Sequence, residues 1–354
     1  MKFNKTVEHS DFTCEPNPGF GEVQVPVLLW CKVTKDNPVP DEVHLGNLSN
    51  YPINPFSATL HYGQSIFEGL KAYKLDNNTG IFRLKDAAER FHRSGKIMSM
   101  VQLPPEVFET CVSEYVKECS KYIPDYPLHS LYLRPLMFAN DEKIKVASSK
   151  SYIFMVMSSI VGDYFASGDK KTKVLVGKHF TRAFEGGTGE AKTAANYALS
   201  LTAVNQAQDL GYQQVLYLDN KTKTNFEELG GMNFFWVQNG EIYTPELSGQ
   251  ILHGITRKTI IEIAKLKGLK VHETQLSLEA LINGHKDGSI TEVFAVGTAA
   301  TLVPLDVIGV LDQDGKIEDY KFEAGPVGEM LKQYLIDTHN DKTELSKKYL
   351  TKVF

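Results

Sequence analysis

The sequence predicts two mixed α/β domains with substantial antiparallel pairing. Three observations carry that expectation. The chain has 354 residues, which at roughly 100–200 residues per domain is two domains. Runs rich in β-branched and aromatic residues alternate with helix-like runs. Asn239-Gly240 joins two short apolar runs, the strongest short hairpin signal.

In chain order, Val25 to Cys31 reads as a strand, and so does Gly80 to Leu84. Asp86-Ala87-Ala88-Glu89 resembles a capping box, with Asp86 as N-cap of a helix through about Met98. Pro104-Pro105 opens a second helix through about Lys121. Leu131 to Phe138 and Tyr152 to Ser158 read as strands; Ile153 to Met157 is continuously apolar, as burial on both faces requires. Residues 165–172 are small and charged and are the expected linker between a domain over 1–164 and a larger one over 173–354. Lys173 to Val176 is a strand, residues 185–191 a glycine-rich loop, and Thr193 to about Asp209 a helix. Strands follow at Gln214 to Leu218, Phe234 to Gln238, Glu241 to Thr244 and Thr291 to Val296. A helix from Thr256 to Lys267 stops at Gly268, a suitable residue just past a C-cap.

Composition excludes several classes. A net charge of −5 lacks the basic excess of a nucleic-acid binder. The four cysteines contain no C-x-x-C pair, so a thiol redox motif, zinc ribbon or disulfide scaffold has no support. Ten histidines are scattered without H-x-H or H-E-x-x-H spacing, and no metal site is expected. The most apolar stretch, Val293 to Leu311, is broken by Thr298, Thr301, Pro304 and Asp306, too short a run to span a membrane. The first residues carry no apolar signal region, so the expected location is the cytoplasm, or an organelle matrix after processing.

Gly186 to Thr193 is a near miss to a phosphate-binding P-loop, with Ala191 where that pattern needs glycine. The preceding residues do not read as a strand, which disfavours an NTPase. Lys192 instead stands at the start of a helix, near the positive end of its dipole. That position disfavours an ammonium and suits a nucleophilic amine. A single loop lysine is ordinarily just solvated, but its surroundings raise this one. Tyr197 follows within the same helix, and Glu227-Glu228 precedes the glycine pair 230–231. His253 to Arg257 opens a helix whose free N–H groups can hold a phosphate, and Gly297-Thr298-Ala299 follows a strand end. Arg90 could supply a cation.

Five ordered runs then resemble those of branched-chain amino acid aminotransferases, fold-type IV enzymes dependent on pyridoxal 5'-phosphate. They are Phe67-Glu68-Gly69-Leu70-Lys71-Ala72-Tyr73, Leu131-Tyr132-Leu133-Arg134-Pro135, Lys192-Thr193-Ala194-Ala195-Asn196-Tyr197, Glu228-Leu229-Gly230-Gly231-Met232-Asn233 and Val296-Gly297-Thr298-Ala299. The resemblance implies that Lys192 holds the cofactor as a covalent aldimine and moves the substrate Cα proton. It implies that Glu228 pairs with the pyridinium, that Tyr197 binds the phenolic oxygen, and that Arg90, the amides of Ile255 and Thr256, and Thr298 hold the phosphate. It assigns the substrate carboxylate to Thr298-Ala299 and to Tyr62 of a facing subunit. Phe20, Phe67, Tyr132 and Tyr164, with a partner's Val146, would form the side-chain pocket, and Arg134 would orient Tyr62 or meet the distal carboxylate of glutamate. The implied reaction is ping-pong transamination between Leu, Ile or Val and 2-oxoglutarate by a homodimer, in biosynthesis or degradation of those amino acids.

Two departures stand out. Mammalian relatives carry C-x-x-C after the Gly-Thr-Ala turn, where this chain has Ala300-Thr301-Leu302-Val303, so thiol regulation of that kind is not expected. They also place Thr where this chain has Gly231. Within the same fold, D-amino acid aminotransferases and aminodeoxychorismate lyases share the lysine and acid, but the first two runs favour the branched-chain reading.

Overall fold

A computed structural model describes residues 1–9, 12–15, 18–49, 51–126, 129–162 and 171–354. The chain divides into two units: Met1–Ala166 with Ala191–Ala195 and Asp337–Phe354, and Ser167–Glu190 with Asn196–Ile336.

The first unit is built on a ten-stranded sheet. Its centre is Ser151–Val161, which pairs antiparallel with Val27–Thr34 on one side and Ser130–Ala139 on the other. The continuous apolar run at Ile153 is explained by that central place: a strand with two neighbours and a covered face has no solvent side. Helices Leu84–Ile97 and Pro105–Cys119 bring Phe91 and Phe108 against Phe154, with ring centroids 5.1–5.9 Å apart. Each such buried ring contributes about 1.5–3 kcal/mol.

Two expectations change here. The first helix is not capped by Asp86: it begins at Leu84, with Arg83 in the left-handed region (φ 50°) as N-cap. A contact distant in sequence overrides the local box. The Arg83 N–H donates to Tyr349 O at 2.8 Å, its guanidinium lies 3.5 Å from the Tyr349 ring centroid, and it pairs with Asp86 at 3.1 Å. The same C-terminal segment alters the expected domain over 173–354. Leu350–Lys352 pairs antiparallel with Asn78–Phe82, and His339 stacks on Tyr73 at 4.4 Å, so residues 337–354 belong to the first unit. Of the expected linker, residues 165–170 lie outside the described residues.

The second unit carries another ten-stranded sheet. Lys173–Gly177 pairs parallel with Gln214–Leu218 and Val307–Leu311; the hairpin and its pairing with Ile290–Gly297 are antiparallel, while its second strand, Glu241–Thr244, pairs parallel with Val271–Glu273. Asn239 (φ 50°) and Gly240 (φ 76°) both take positive φ, which the tight two-residue hairpin turn requires. Phe226, Phe234 and Trp236 form the centre of its core. Helix Ile255–Leu266 ends before Gly268, whose φ of 74° serves the turn after it. Among the described residues no helix is long and apolar enough to cross a membrane, and all four cysteines are free thiols.

Candidate active site

In the first unit, Lys192 is fixed by its backbone. Its N–H donates to Ser94 Oγ at 3.0 Å, its carbonyl accepts from Phe67 N–H at 3.0 Å, and Thr193 bridges Ile66 while donating to Ser65 O at 2.7 Å. Its ammonium lies 4.7 Å from the Phe67 ring centroid. Ser94 stands one turn after Arg90 on the same helix, so both share a face. Arg90 is no solvated surface arginine. It is buried, and its Nε and Nη2 donate to the two oxygens of buried Glu68 at 2.7 Å each, a fork-on-fork geometry that sets the guanidinium plane.

Of the residues expected around the side-chain pocket, Phe20, Phe67, Tyr132 and Arg134 are linked by contacts in this unit. Arg134 lies 4.7 Å from the Phe67 ring and donates to Tyr132 Oη at 3.2 Å, and Phe20 meets Tyr132 edge-on at 4.8 Å. A Cβ at Gly69 would overlap the Tyr132 hydroxyl, so any larger residue there would displace that ring. Tyr62 and Val146, the residues expected to serve a partner, are 43% and 83% exposed. Tyr164 lies outside the described residues.

In the second unit, Glu228 lies on Phe226–Leu229 where the ladder slips. Leu216 and Leu218 pair with Leu229 and Phe226, so two residues, Glu227 and Glu228, oppose Tyr217 alone. Such β-bulges re-aim side chains and gather at functional sites. Buried Glu228 accepts three N–H bonds: Arg182 Nη2 at 2.7 Å and Leu252 N–H at 2.9 Å on Oε1, and Asn233 Nδ2 at 2.9 Å on Oε2. These donors complement a carboxylate anion. Arg182 also donates to Gln250 O. Asn233 packs so closely on the start of helix Ile255–Leu266 that a Cβ at Gly254 would overlap its amide oxygen. Gly254 is the N-cap and gives no side-chain hydrogen bond to the first N–H groups of that helix, at Ile255 and Thr256, and an uncapped helix start is an arrangement able to hold an anion. Thr298 and Ala299 form the turn between Ile290–Gly297 and Thr301–Pro304. Tyr197 is in the first turn of helix Ala194–Asp209, whose Asn196 ties back to Thr188 of the glycine loop by bonds of 2.7 and 2.8 Å. The strand ahead of that loop ends at Gly177, well before Gly186, so no strand feeds it as a P-loop requires.

Sequence reasoning assigns no role to Glu68, Ser94, Arg182, Glu227 or Asn233. Arg182 sits in a stretch that reads only as a failed strand. Its partner is distant in sequence, and no local pattern announces such a pair.

Burial pushes the Glu227 carboxyl up to about 7, with the Arg182 charge opposing. A carboxyl held above its unfolded value loses stability as pH rises from about 4.5 through about 7, because the folded state must then release a proton at a cost. Glu227→Gln should therefore gain on the wild type across that window, by up to about 3 kcal/mol at pH 8. Urea denaturation of both proteins at pH 5 and pH 8 measures this; an equal difference at both pH values contradicts it. A second expectation concerns Gly231, where an added Cβ meets nothing within 4 Å. Gly231→Thr should change stability by no more than about 0.5 kcal/mol, and a drop in melting temperature of many degrees would show the space is not open.

Residues 65–308 match the family model described as amino-transferase class IV. The chain is 40% identical over 287 residues to the branched-chain-amino-acid aminotransferase 2 of Bacillus subtilis, covering 81% of this chain and 77% of that one. It is 37% identical over 316 residues to a probable branched-chain-amino-acid aminotransferase of Staphylococcus epidermidis, covering 89% and 88%. Among solved structures, the T.th. branched-chain amino acid aminotransferase with pyridoxamine 5'-phosphate superposes with a TM-score of 0.74 at 28% identity, covering 92% and 98%. The Escherichia coli branched-chain amino acid aminotransferase gives 0.73 at 25%, covering 92% and 99%. The chain belongs to the class IV amino-transferases and, within them, to the pyridoxal-phosphate-dependent branched-chain-amino-acid aminotransferase family.

Proposed function

We propose that this enzyme moves the amino group of Leu, Ile or Val to 2-oxoglutarate, that it acts as a cytoplasmic homodimer, and that the residues described above carry the reaction. The observation that carries the reading is the backbone strap on Lys192, which sets its amine over the Phe67 ring, in a cluster that continues through Arg134 and Tyr132 to Phe20. Pyridoxal phosphate, when bound, supplies an electron sink for the pair left when the substrate Cα–H bond breaks. The residues present fit such a group. Arg90, the amides of Ile255 and Thr256, and the Thr298 hydroxyl would hold its phosphate. Glu228, neutralised by Arg182, would face its ring nitrogen, and Tyr197 its phenolic oxygen.

The lysine amine is the general base that takes the Cα proton and the acid that returns it. Phe67 and Tyr132 exclude water and offer apolar surface to a branched side chain. Arg134 offers a fixed cation beside those rings, suited to the distal carboxylate of glutamate. Thr298 and Ala299 would bind the α-carboxylate. Large apolar side chains at 53–62 and 144–146, including Phe56, Leu60, Tyr62, Ile144 and Val146, are exposed on the first unit. Such exposure supports a covering subunit.

Initial rates with L-leucine and 2-oxoglutarate varied together should give parallel double-reciprocal lines, and sedimentation should give twice the chain mass. Intersecting lines, or preference for D-alanine, would overturn the proposed reaction, and a monomer would overturn the proposed assembly.

A further inference from the structure

We propose that the second unit carries an additional binding site, for a small organic cation with N–H donors, in a cavity of about 550 Å3 lined by Phe184, Asp219, Phe226, Glu227, Glu246 and Gln250. The volume lies in the range of small-molecule pockets, about 300–1,000 Å3. None of the residues proposed for the cofactor or the amino-acid substrate lines it.

Three features select the ligand. First, two residues that line the cavity each carry a buried acceptor that nothing among the described residues satisfies: Glu227 Oε2 and Gln250 Oε1. Glu227 is only 4% exposed. A buried acceptor left unpaired is costly, and a ligand that donates to it recovers that cost. Acceptors without donors call for a donor ligand, and a cationic donor would favour the ionised form of Glu227 that burial otherwise disfavours. Second, the described lining carries Glu185, Asp219, Glu227 and Glu246 against the single cation Lys221. The wall that bears Asp219 is built rather than loose: its carboxylate accepts N–H bonds from Thr222 at 2.6 Å, Thr224 at 3.1 Å and Asn225 at 2.9 Å. Across the cavity, Glu246 accepts from Gln275 Nε2 at 3.1 Å. Third, the exposed ring of Phe184 adds aromatic surface, which favours an organic cation. No group of three or more His, Cys, Asp or Glu among the described residues could hold a metal ion, so the acids here do not form a chelate.

Glu227 follows Phe226 on the bulged strand and directly precedes Glu228, and Arg182 acts on both acids. The site therefore lies one residue from the acid proposed for the cofactor, yet its occupancy does not depend on which amino acid the enzyme transaminates.

The test is calorimetric titration of the holoenzyme with methylguanidinium chloride and, separately, trimethylammonium chloride. Neither carries a primary alkylamine able to condense with the cofactor aldehyde. Methylguanidinium should bind saturably, one per chain, and more tightly than trimethylammonium, which has a single N–H. Tighter trimethylammonium binding would assign the site to ammonium ligands and overturn the requirement for several donors. Both Glu227→Gln and Gln250→Leu should weaken methylguanidinium binding by at least about tenfold. If Glu227→Gln fails to fold, Gln250→Leu decides alone. No saturable binding at millimolar concentration, equal heats from potassium chloride, or unchanged affinity in the folded variants would overturn the proposal.

Discussion

Lys192→Ala should lower kcat for L-leucine by at least about 10³-fold while leaving the fold intact. General acid–base catalysis by a positioned side chain is worth about 10²–10⁴-fold, and this amine is also the proposed covalent attachment for the cofactor. The fold should survive because the strap uses only main-chain atoms of Lys192. The bonds to Ser94 Oγ and from Phe67 N–H persist with alanine, and so does the Thr193 bond to Ser65. Steady-state kinetics with far-ultraviolet circular dichroism separates the two effects. A folded variant that keeps a tenth of the activity would remove Lys192 from the chemistry.

The second large effect is on Arg182. Arg182→Leu should cost about 3–5 kcal/mol of stability, because it leaves Glu228 as a buried carboxylate stripped of its cation. Two smaller losses accompany it: the bond to Gln250 O, and the charge that opposes the upward push on Glu227. The double variant Arg182→Leu, Glu228→Gln should recover most of the stability, since removing both charges removes the desolvation problem. It should not recover activity, because the proposed partner of the pyridinium is gone. Denaturant midpoints of the four proteins in this cycle measure the coupling. Additive losses in the double variant would mean that Arg182 does not act through Glu228.

The elements legible in the sequence are those whose signals are local. Asn239-Gly240 fixes a hairpin through the φ values of two residues. Ile153 to Met157 shows by its unbroken apolarity that it is a central strand. Lys192, Tyr197 and Glu228 sit in runs whose order survives along the chain, so the family could be read before any fold was seen. What escaped is what depends on residues far apart in sequence. Asp86 and Glu89 spell a local cap, but Arg83 and Tyr349 begin the helix three residues earlier. The last eighteen residues look like the end of a second domain, but they close the sheet of the first through Leu350–Lys352. The proposed partners of the site followed the same pattern. Arg90 reads as a helix arginine until Glu68 is seen across from it. Arg182 carries no local signal at all, and its importance comes from the buried acid it neutralises.

The central claim is that Lys192 and the groups around it perform the amino-donor half of transamination. One measurement tests it most directly: a single-turnover reaction of the pyridoxal-phosphate-loaded enzyme with L-leucine and no acceptor. The account predicts one equivalent of the corresponding branched 2-oxo acid per chain, formed in step with loss of the yellow visible absorption, and no further product until 2-oxoglutarate is added. Retention of the visible absorption with no 2-oxo acid formed would contradict it.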